Sequence, residues 1–360
     1  MKIFLISNLY PSNNHKDYGV FVKNIEDELV KNGAEITHKV VISGRAESST
    51  DKLLKYGKFY AEIISAYRKK DFDLVYLHFL SHSAPGLLLA KVLFGKKKKF
   101  IINVHGSDVL KFNKGLLKWC NIRLLEETDL LVVPSLYFKE VIHSVFPHFP
   151  NDKIYVSPSG GINLSLFKYK KPAVGKELHL GFVSRIEDDK GWLTFLEAIK
   201  ELKTKGVPIK ASIAGMGSKV TEMVNKIKEY HLEKEVDYLK ILSHQELSLL
   251  YNKLDLFIFP TQASESLGLV GVEAMACGVP VIGTEIGGLK TFIENGKNGF
   301  FTTPGNGKEL AAKIEFYYNL SEIEKNKIIE AAVLTAQKYN RIKVGKELYS
   351  KFAQLIKEGN

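Results

Sequence analysis

The sequence is poor in cysteine and has no long apolar run. Its 360 residues include two cysteines, Cys120 and Cys277, which lie in segments of helical pattern and lack the spacing of metal ligands. We expect buried thiols of a reducing compartment and no disulfide framework. The apolar run at residues 3–6 is too short for a signal peptide, and no stretch approaches the ~20 residues that span a bilayer. The sequence therefore predicts a cytoplasmic protein with only peripheral membrane contact.

Arginine is also scarce, with five of the 51 basic residues, and the positive charge is uneven. Residues 1–175 carry 26 basic and 16 acidic side chains, whereas residues 176–360 carry 25 and 24. A basic half indicates an anionic partner, which can be nucleic acid, an anionic membrane face or a phosphate-bearing substrate. Nucleic acid is the least favoured, because aromatic and arginine residues do not alternate in the way that stacks bases. The densest run, the lysines at 96–99, can equally be a solvated loop.

The order of apolar and amphipathic segments predicts two α/β domains. A chain of this length exceeds the usual size of one core. Short apolar strands alternate with helical segments in two series, separated by a polar, basic stretch at residues 168–176 that we interpret as a linker. We predict a first domain over 1–170, a second domain over 176–340 and a last helix within 341–360. Each domain is expected to be a doubly wound parallel sheet with sites at the carboxyl ends of its strands.

Two carboxylates, Glu265 and Glu273, enclose seven residues in ESLGLVGVE, which continues as AMACGVPVI. An apolar strand at 254–260 precedes them, and the sequence Gly-Val-Pro at 278–280 ends the helical pattern. We expect Glu265 near a helix N-terminus, beside free N–H groups, and Glu273 inside the helix. Helix rise would separate the carboxylates by up to ~12 Å, which suits a nucleotide-sugar with a diphosphate between its two rings. Taken alone, the pair would more often be two surface glutamates of an ordinary helix.

The whole segment from Glu265 to residue 282 resembles the signature of retaining glycosyltransferases of family 4, which have the GT-B architecture. The resemblance implies two doubly wound Rossmann-like domains facing a central cleft, with the last helix packed on the first domain. It also implies that the domain over 1–170 is the acceptor-side domain and that the domain over 176–340 binds the nucleotide-sugar. It implies transfer of a sugar from a nucleoside-diphosphate-sugar to an acceptor hydroxyl, without a metal or cofactor. Glu273 would bind the ribose hydroxyls, and Glu265 would act at the transferred sugar as a catalytic residue. Further implied donor-binding residues are Ser266, Gly268 and Leu269.

A second element, GFVSRIEDDKG at residues 181–191, resembles the G-x3-R-x4-K-G pattern of the same family. By this resemblance, Arg185 and Lys190 contact the donor diphosphate and take part in catalysis. Fixed cations at this point would stabilise the negative charge that develops on the leaving diphosphate, so that a metal ion becomes unnecessary. The alternative interpretation is a charged turn before a helix.

In the first half, NVHGSD at residues 103–108 resembles the H-G-x-D element of the family. His105 would face the transferred sugar as a catalytic residue, and Asp108 would brace the loop. The first strand is predicted over residues 2–6. The loop at residues 8–19 then corresponds to the family's flexible segment near the diphosphate. Gly19 would allow close approach of the backbone to the donor.

Other patterns are predicted to be structural. Asp71 and Asp73 have the D-x-D spacing of metal-dependent transferases of another fold, but they precede a strand, at the wrong end for a site. His78 and His82 lack a nearby glutamate for zinc hydrolysis and are interpreted as loop residues. The G-x-G at residues 215–217 is too short to indicate a dinucleotide site and is expected to be a simple turn.

The sequence does not identify the sugar or the base of the donor, or the acceptor. Asn163 and Lys240 stand where the family commonly has aspartate and glycine, and these departures leave the base undecided. We expect polysaccharide or glycolipid assembly, with a saccharide or lipid-linked acceptor that an anionic inner membrane face could present to the basic first half. Two alternatives are a nucleotide-sugar epimerase of related fold and a non-enzymatic, basic nucleic-acid-binding protein.

Overall fold

A computed structural model describes residues 1–15, 18–95, 98–110, 116–170 and 177–358. The chain divides into two compact units. The first unit comprises Met1–Gly161 and Arg341–Asn360, and the second unit comprises Ile162–Asn340. Each contains a six-stranded sheet in which all the pairings are parallel.

The first unit is a doubly wound α/β structure. Its strands are β1 (Lys2–Tyr10), β2 (Glu35–Ser43), β3 (Leu74–His78), β4 (Lys99–Asn103), β5 (Leu130–Val133) and β6 (Ile154–Val156). Its helices are α1 (Val20–Lys31), α2 (Ser49–Lys69), α3 (Leu80–Phe94), α4 (Ser107–Leu110), α5 (Leu116–Glu126), α6 (Leu136–Val145) and the final helix, α13 (Arg341–Lys357). The sheet order is β2-β1-β3-β4-β5-β6, so the direction of winding reverses between β1 and β3.

The second unit repeats this architecture. Its strands are β7 (Leu178–Val183), β8 (Ile209–Ala214), β9 (Val236–Tyr238), β10 (Leu256–Phe259), β11 (Val281–Thr284) and β12 (Gly299–Thr302). Its helices are α7 (Trp192–Thr204), α8 (Val220–Glu229), α9 (His244–Tyr251), α10 (Leu269–Ala276), α11 (Gly307–Tyr318) and α12 (Glu322–Gln337). The order β12-β11-β10-β7-β8-β9 places the reversal between β10 and β7.

The central strands are almost continuously apolar because helices cover both faces of each sheet. Every residue of β3, with the sequence LVYLH, and of β10, with the sequence LFIF, is buried. This pattern made the strands easy to predict, and the observed elements agree with the predicted alternation to within a few residues. No helix in the described part of the chain combines the length and apolar character needed to cross a membrane.

The first strand is longer than predicted. β1 continues to Tyr10, which is buried, pairs with Ser43 of β2 and donates its hydroxyl hydrogen to Glu26 Oε2 at 2.5 Å. The loop predicted to begin at residue 8 therefore begins after Tyr10. The turn-rich composition of this segment is overridden by its burial against β2 and α1.

The boundary between the units also differs from the predicted one. The first unit ends at Gly161 rather than at residue 170, because the following residues pack on the second unit. The Ile162 N–H donates to the Tyr339 carbonyl at 2.7 Å, and Phe167 lies in the same apolar cluster as Tyr251. Of the predicted linker at 168–176, residues 171–176 lie outside the described part of the chain.

The final helix, α13, belongs to the first unit. Gly345 lies so close to α1 that an added Cβ would be 2.4 Å from Glu28 Cβ, and Arg341 pairs with the Glu28 carboxylate at 3.4 Å. Further along the helix, the buried Phe352 ring meets the Tyr76 ring edge-on at 4.9 Å. The C-terminal helix thus supports the central strand β3.

Candidate functional site

The loops that follow β7 and β10 meet at the point where the second sheet reverses its winding. The two strands are neighbours in the sheet, with Leu180 opposite Leu256. A short 3-10 turn, Asp188–Lys190, lies after β7, and its Asp189 carbonyl accepts hydrogen bonds from Thr261 Oγ1 at 3.2 Å and the Gln262 N–H at 2.8 Å. Parallel α/β sheets bind ligands at this position, outside the carboxyl ends of the strands.

The contact between the two loops requires glycine at position 191. Gly191 adopts a left-handed conformation, with φ of 77°, and begins α7. A Cβ atom at this position would lie 1.9 Å from the Pro260 carbonyl oxygen. Only a residue without a side chain can take this conformation and allow this approach.

Lys190 and Glu265 form an ion pair at the junction of these loops. Lys190 Nζ donates to Glu265 Oε1 at 2.8 Å and lies 3.3 Å from Asp189 Oδ2. The Lys190 side chain is buried, whereas Glu265 is partly exposed. A buried ammonium that is paired with two carboxylates is held in place at the edge of the sheet.

Arg185 lies in the same loop after β7 and is exposed. Among the described residues, no carboxylate forms an ion pair with it. Its guanidinium is therefore accessible to an anion from solvent, whereas Lys190 would have to exchange one of its carboxylate partners.

Glu273 lies in the middle of α10, as predicted, and is buried. Tyr251 donates its hydroxyl hydrogen to Glu273 Oε2 over a long 3.5 Å contact. Burial disfavours the charged form and raises the pKa of this carboxyl to about 8. In the ligand-free protein this side chain is therefore largely protonated at neutral pH.

Glu265 lies in a loop and not in the first turn of a helix. α10 begins at Leu269, and Gly268 caps it in a left-handed conformation. The loop is held by a residue that follows β11, because the Gly288 N–H donates to the Glu265 carbonyl at 2.7 Å. The helix-based separation of ~12 Å therefore does not apply to this pair of carboxylates. Of the other predicted donor-binding residues, Ser266 lies in this loop and Leu269 is the first helical residue.

In the first unit, His105 follows β4 and forms a pair with His78. The His105 Nε2 and His78 Nδ1 atoms are 3.0 Å apart. His78 is fully buried, whereas His105 is partly exposed and its ring contacts the rings of Phe21 and Phe79 at centroid distances of 4.7 and 4.5 Å. Burial lowers the pKa of His105 to about 3, so its imidazole is neutral at physiological pH.

Asp108 braces the His105 loop, as the sequence predicted. Its Oδ1 accepts hydrogen bonds from the His105 N–H at 3.0 Å and the Gly106 N–H at 2.9 Å. Its Oδ2 accepts one from the Leu80 N–H at 3.2 Å, at the start of α3. The carboxylate therefore ties the loop after β4 to the loop after β3.

The interpretation of His78 and His82 as loop residues was wrong. His78 is the last residue of β3, and His82 lies in α3. Sequence reasoning therefore missed His78 as a neighbour of the candidate site. The available signal was the apolar run of β3, which continues up to His78 and places it level with Asn103 on the adjacent strand.

Gly19 caps α1 in a left-handed conformation, with φ of 70°. A Cβ atom at this position would lie 2.6 Å from the Leu9 carbonyl carbon and oxygen, so glycine allows the helix to start directly above the end of β1. Its role in donor binding stays a prediction. The preceding residues 16 and 17 lie outside the described part of the chain.

The D-x-D pair is structural, as expected. Asp73 Oδ2 accepts a hydrogen bond from the Lys2 N–H at 2.7 Å, and Asp71 Oδ1 lies 2.5 Å from His38 Nε2. Both carboxylates lie at the amino ends of the strands, opposite the candidate sites. Within the residues that the structure describes, no cluster of three or more histidine, cysteine or carboxylate side chains is arranged to hold a metal ion.

Two parallel six-stranded sheets with polar residues at their switch points define the class as the GT-B fold. The chain is similar in structure to HepE of Anabaena, crystallised with UDP and glucose, with a TM-score of 0.76 and 18% identity over 98% of this chain and 100% of that one. Residues 20–163 match the sequence profile of Glycosyltransferase Family 4, and residues 166–334 match that of Glycosyl transferases group 1. The chain therefore belongs to glycosyltransferase family 4, a family of retaining enzymes of EC class 2.4.

Curated relatives match only part of the chain. WcaL of Salmonella typhimurium, named for colanic acid biosynthesis, is 26% identical over 56% of this chain and 51% of its own length. The capsular polysaccharide biosynthesis glycosyltransferase CapM of Staphylococcus aureus is 29% identical over 64% of this chain and 63% of its own. The chain thus spans about half to two thirds of these relatives. The family favours sugar transfer over the epimerase and nucleic-acid-binding alternatives.

Proposed function

We propose that this protein transfers a sugar from a nucleoside-diphosphate-sugar to an acceptor hydroxyl with retention of configuration. The observation that carries the proposal is the ion pair of Lys190 with Glu265, which joins the loops after β7 and β10 where the second sheet reverses its winding. It brings the cation and one carboxylate of two separate sequence elements to one point. The solved structure of HepE with UDP and glucose supports the donor class.

The chemistry would proceed by departure of the nucleoside diphosphate. The bond between the anomeric carbon and the phosphate oxygen breaks, and its electron pair stays on the diphosphate. Lys190 and Arg185 would stabilise the charge that builds up there. The acceptor oxygen then bonds to the anomeric carbon from the face that the diphosphate leaves, and the acceptor proton passes to a diphosphate oxygen. In this scheme Glu265 orients the sugar, while Glu273 accepts hydrogen bonds from the ribose.

The backbone at the start of α10 would assist in holding the donor. The first N–H groups of a helix have no acceptor within the helix and favour negative charge. We assign Ser266, Gly268 and Leu269 to this part of the donor site. In the first unit, Gly19 would approach the diphosphate and His105 would hydrogen-bond to the transferred sugar.

Thermal shift with UDP-, GDP- and ADP-glucose tests donor binding, because a ligand that binds only the folded protein raises its Tm. We expect at least one of the three to raise the Tm of the wild type. Glu273→Ala should reduce this shift, whereas Lys190→Ala should mainly lower the kcat of donor cleavage, by about 10²-fold. Glu222→Ala, at an exposed carboxylate of α8, is the matched control and should behave as the wild type. Wild-type binding and turnover in both site variants would contradict the assignment.

For the acceptor, we propose a growing saccharide or a lipid-linked saccharide of polysaccharide assembly. The names of CapM and WcaL support this class. Transfer of labelled sugar to a lipid extract, compared with transfer to free oligosaccharides, distinguishes the two acceptor types.

We further propose that the basic first unit docks on an anionic membrane face. Leu89, Val92 and Leu93 at the end of α3 are exposed, and in the sequence the lysine run at 96–99 begins three residues after Leu93. Apolar side chains beside lysines suit adsorption to anionic lipid, which salt weakens. Sedimentation with vesicles of anionic phospholipid at low ionic strength should recover the wild type, and Val92→Glu should recover less. If vesicles of neutral phospholipid sediment as much protein as anionic vesicles do, the protein does not bind the membrane through its positive charge.

A further inference from the structure

The two histidines at the end of β3 and after β4 are joined edge to edge. The planes of the His78 and His105 rings differ by 10°, and their centroids are 5.3 Å apart. The bonded nitrogens are 3.0 Å apart, so a centroid distance of 5.3 Å requires both nitrogens to lie close to the line that joins the ring centres. The two rings therefore share nearly one plane, and their nitrogens face each other along a hydrogen bond.

The surroundings hold both rings in this arrangement. His78 packs on the Tyr76 ring at a centroid distance of 4.3 Å, and the Tyr76 hydroxyl oxygen accepts a hydrogen bond from Asn103 Nδ2 at 2.7 Å. His105 is enclosed by two phenylalanine rings, and Asp108 fixes its backbone. These contacts thus fix the relative orientation of the two rings.

One proton lies in the hydrogen bond between the rings, and it belongs to one of the two bonded nitrogens. Burial lowers the pKa of each ring, so both are neutral, and each carries one N–H. Either His78 Nδ1 donates to His105 Nε2, or His105 Nε2 donates to His78 Nδ1. The first arrangement leaves the His105 proton on Nδ1, and the second leaves Nδ1 as an acceptor.

The environment of His78 selects between these arrangements. His78 Nε2 is buried and has no hydrogen-bond partner among the described residues. The second arrangement would leave an N–H group at this atom without an acceptor, and buried, unpaired N–H groups are rarer than unpaired acceptors. The first arrangement leaves only a lone pair there. It is therefore the more stable of the two.

We infer that His78 is a positioning residue that fixes the tautomer of His105, so that His105 offers an N–H donor at Nδ1 to the transferred sugar. No described residue hydrogen-bonds to that atom. A neutral donor can bind a sugar hydroxyl without adding a positive charge beside a carbon that itself becomes positive. The part that concerns the sugar rests on the proposed function, whereas the tautomer does not.

The tautomer is measured directly by long-range ¹H–¹⁵N NMR of protein labelled at histidine. In the wild type we expect His105, assigned from its loss in His105→Gln, to be protonated at Nδ1 and unprotonated at Nε2. His78→Leu removes the donor, so His105 should then populate both tautomers. His78→Asn places an amide N–H near the position of Nδ1 and should preserve the wild-type pattern. Protonation of His105 at Nε2 in the wild type would overturn the inference.

Kinetics test the consequence for the sugar. The assay is the release of UDP from UDP-glucose with water as acceptor, or the same assay with the GDP- or ADP-sugar that gives the largest thermal shift. We expect His78→Leu to lower kcat by about tenfold with little change in KM, and His78→Asn to restore most of it. Cys120→Ala, at a buried side chain in the apolar core of the same unit, controls for loss of stability.

The two measurements separate the possible failures. If His78→Leu has the wild-type kcat although NMR shows the expected tautomers, the tautomer of His105 is as inferred, but it does not affect catalysis. If the wild type cleaves none of the donors, the proposed function fails, and NMR still decides the role of His78. If His78→Asn is as slow as His78→Leu although both are folded, the hydrogen bond is not the reason for the effect.

Discussion

At the scale of single residues, the second unit buries a lysine, Lys190, and a glutamate, Glu273, that differ in their hydrogen-bond partners. Lys190 is paired with the carboxylates of Asp189 and Glu265. Glu273 has one long hydrogen bond, and burial raises its pKa to about 8, so it is largely neutral near pH 7. The second unit therefore contains an ion-paired lysine and a buried carboxyl that is largely neutral near pH 7.

The raised pKa of Glu273 predicts a pH-dependent effect on stability. A carboxyl whose pKa rises from 4.5 to about 8 on folding contributes stability that is fully present below pH 4.5 and is lost as the pH rises through 8. Glu273→Gln removes this loss. The free energy of unfolding of the variant, relative to that of the wild type, should therefore increase from pH 5 to pH 9 in urea denaturation.

Glu330→Gln is the control, because Glu330 is exposed on α12. Its difference from the wild type should not change with pH. A difference for Glu273→Gln that is also constant between pH 5 and pH 9 would show that the carboxyl is ionised over the whole range.

At the scale of elements, the sequence was most informative where burial is uniform. The apolar runs of β3 and β10 and the amphipathic helices between strands could be predicted, because their pattern is local. The start of α10 could not, since Gly268 and the bond from Gly288 to Glu265 decide it, and Gly288 is distant in sequence. The resemblance nevertheless identified Lys190 and Glu265, whose contact the structure shows.

His78 illustrates a second limit of sequence reasoning. The apolar run of β3 could indicate that His78 ends a strand, but it does not show which strand lies beside it. Its partner, His105, is 27 residues away, and the contact depends on the order of β3 and β4 in the sheet. The two histidines could be placed together only once the structure had shown that β3 and β4 are neighbours in the sheet.

Gly191 and Gly296 form a matched pair that tests the junction of the β7 and β10 loops. Both have φ near 77°, but an added Cβ at Gly296 would have no neighbour within 4 Å, whereas one at Gly191 would strike the Pro260 carbonyl. Gly296→Ala should therefore cost only the strained backbone conformation, about 1 kcal/mol. Gly191→Ala should cost about 2 kcal/mol more in urea denaturation, because the loops must separate.

The same pair of variants links this junction to donor binding. Gly191→Ala should also reduce the thermal shift given by the nucleotide-sugar, since Lys190 is the preceding residue. Gly296→Ala should leave that shift unchanged. Equal losses of stability in the two variants would mean that the loops can move apart at no cost.

At the scale of the whole molecule, the C-terminal helix makes the first unit discontinuous in sequence. Its Phe352 is fully buried against Tyr76. We expect Phe352→Ala to lower the free energy of unfolding by about 3–5 kcal/mol. Phe316→Ala, at a ring of α11 that is 52% exposed, should have a much smaller effect in the same denaturation experiment. Similar losses would indicate that α13 contributes little to the first unit.

The return of α13 has a consequence for how the protein is made. Residues 1–161 leave the ribosome long before residues 341–357, and domains tend to fold as they emerge. The nascent first half therefore lacks Leu348 and Phe352, which complete the apolar cluster around Tyr76. Because His78 packs on Tyr76, the histidine pair acquires its final support only after residues 341–357 have been synthesised.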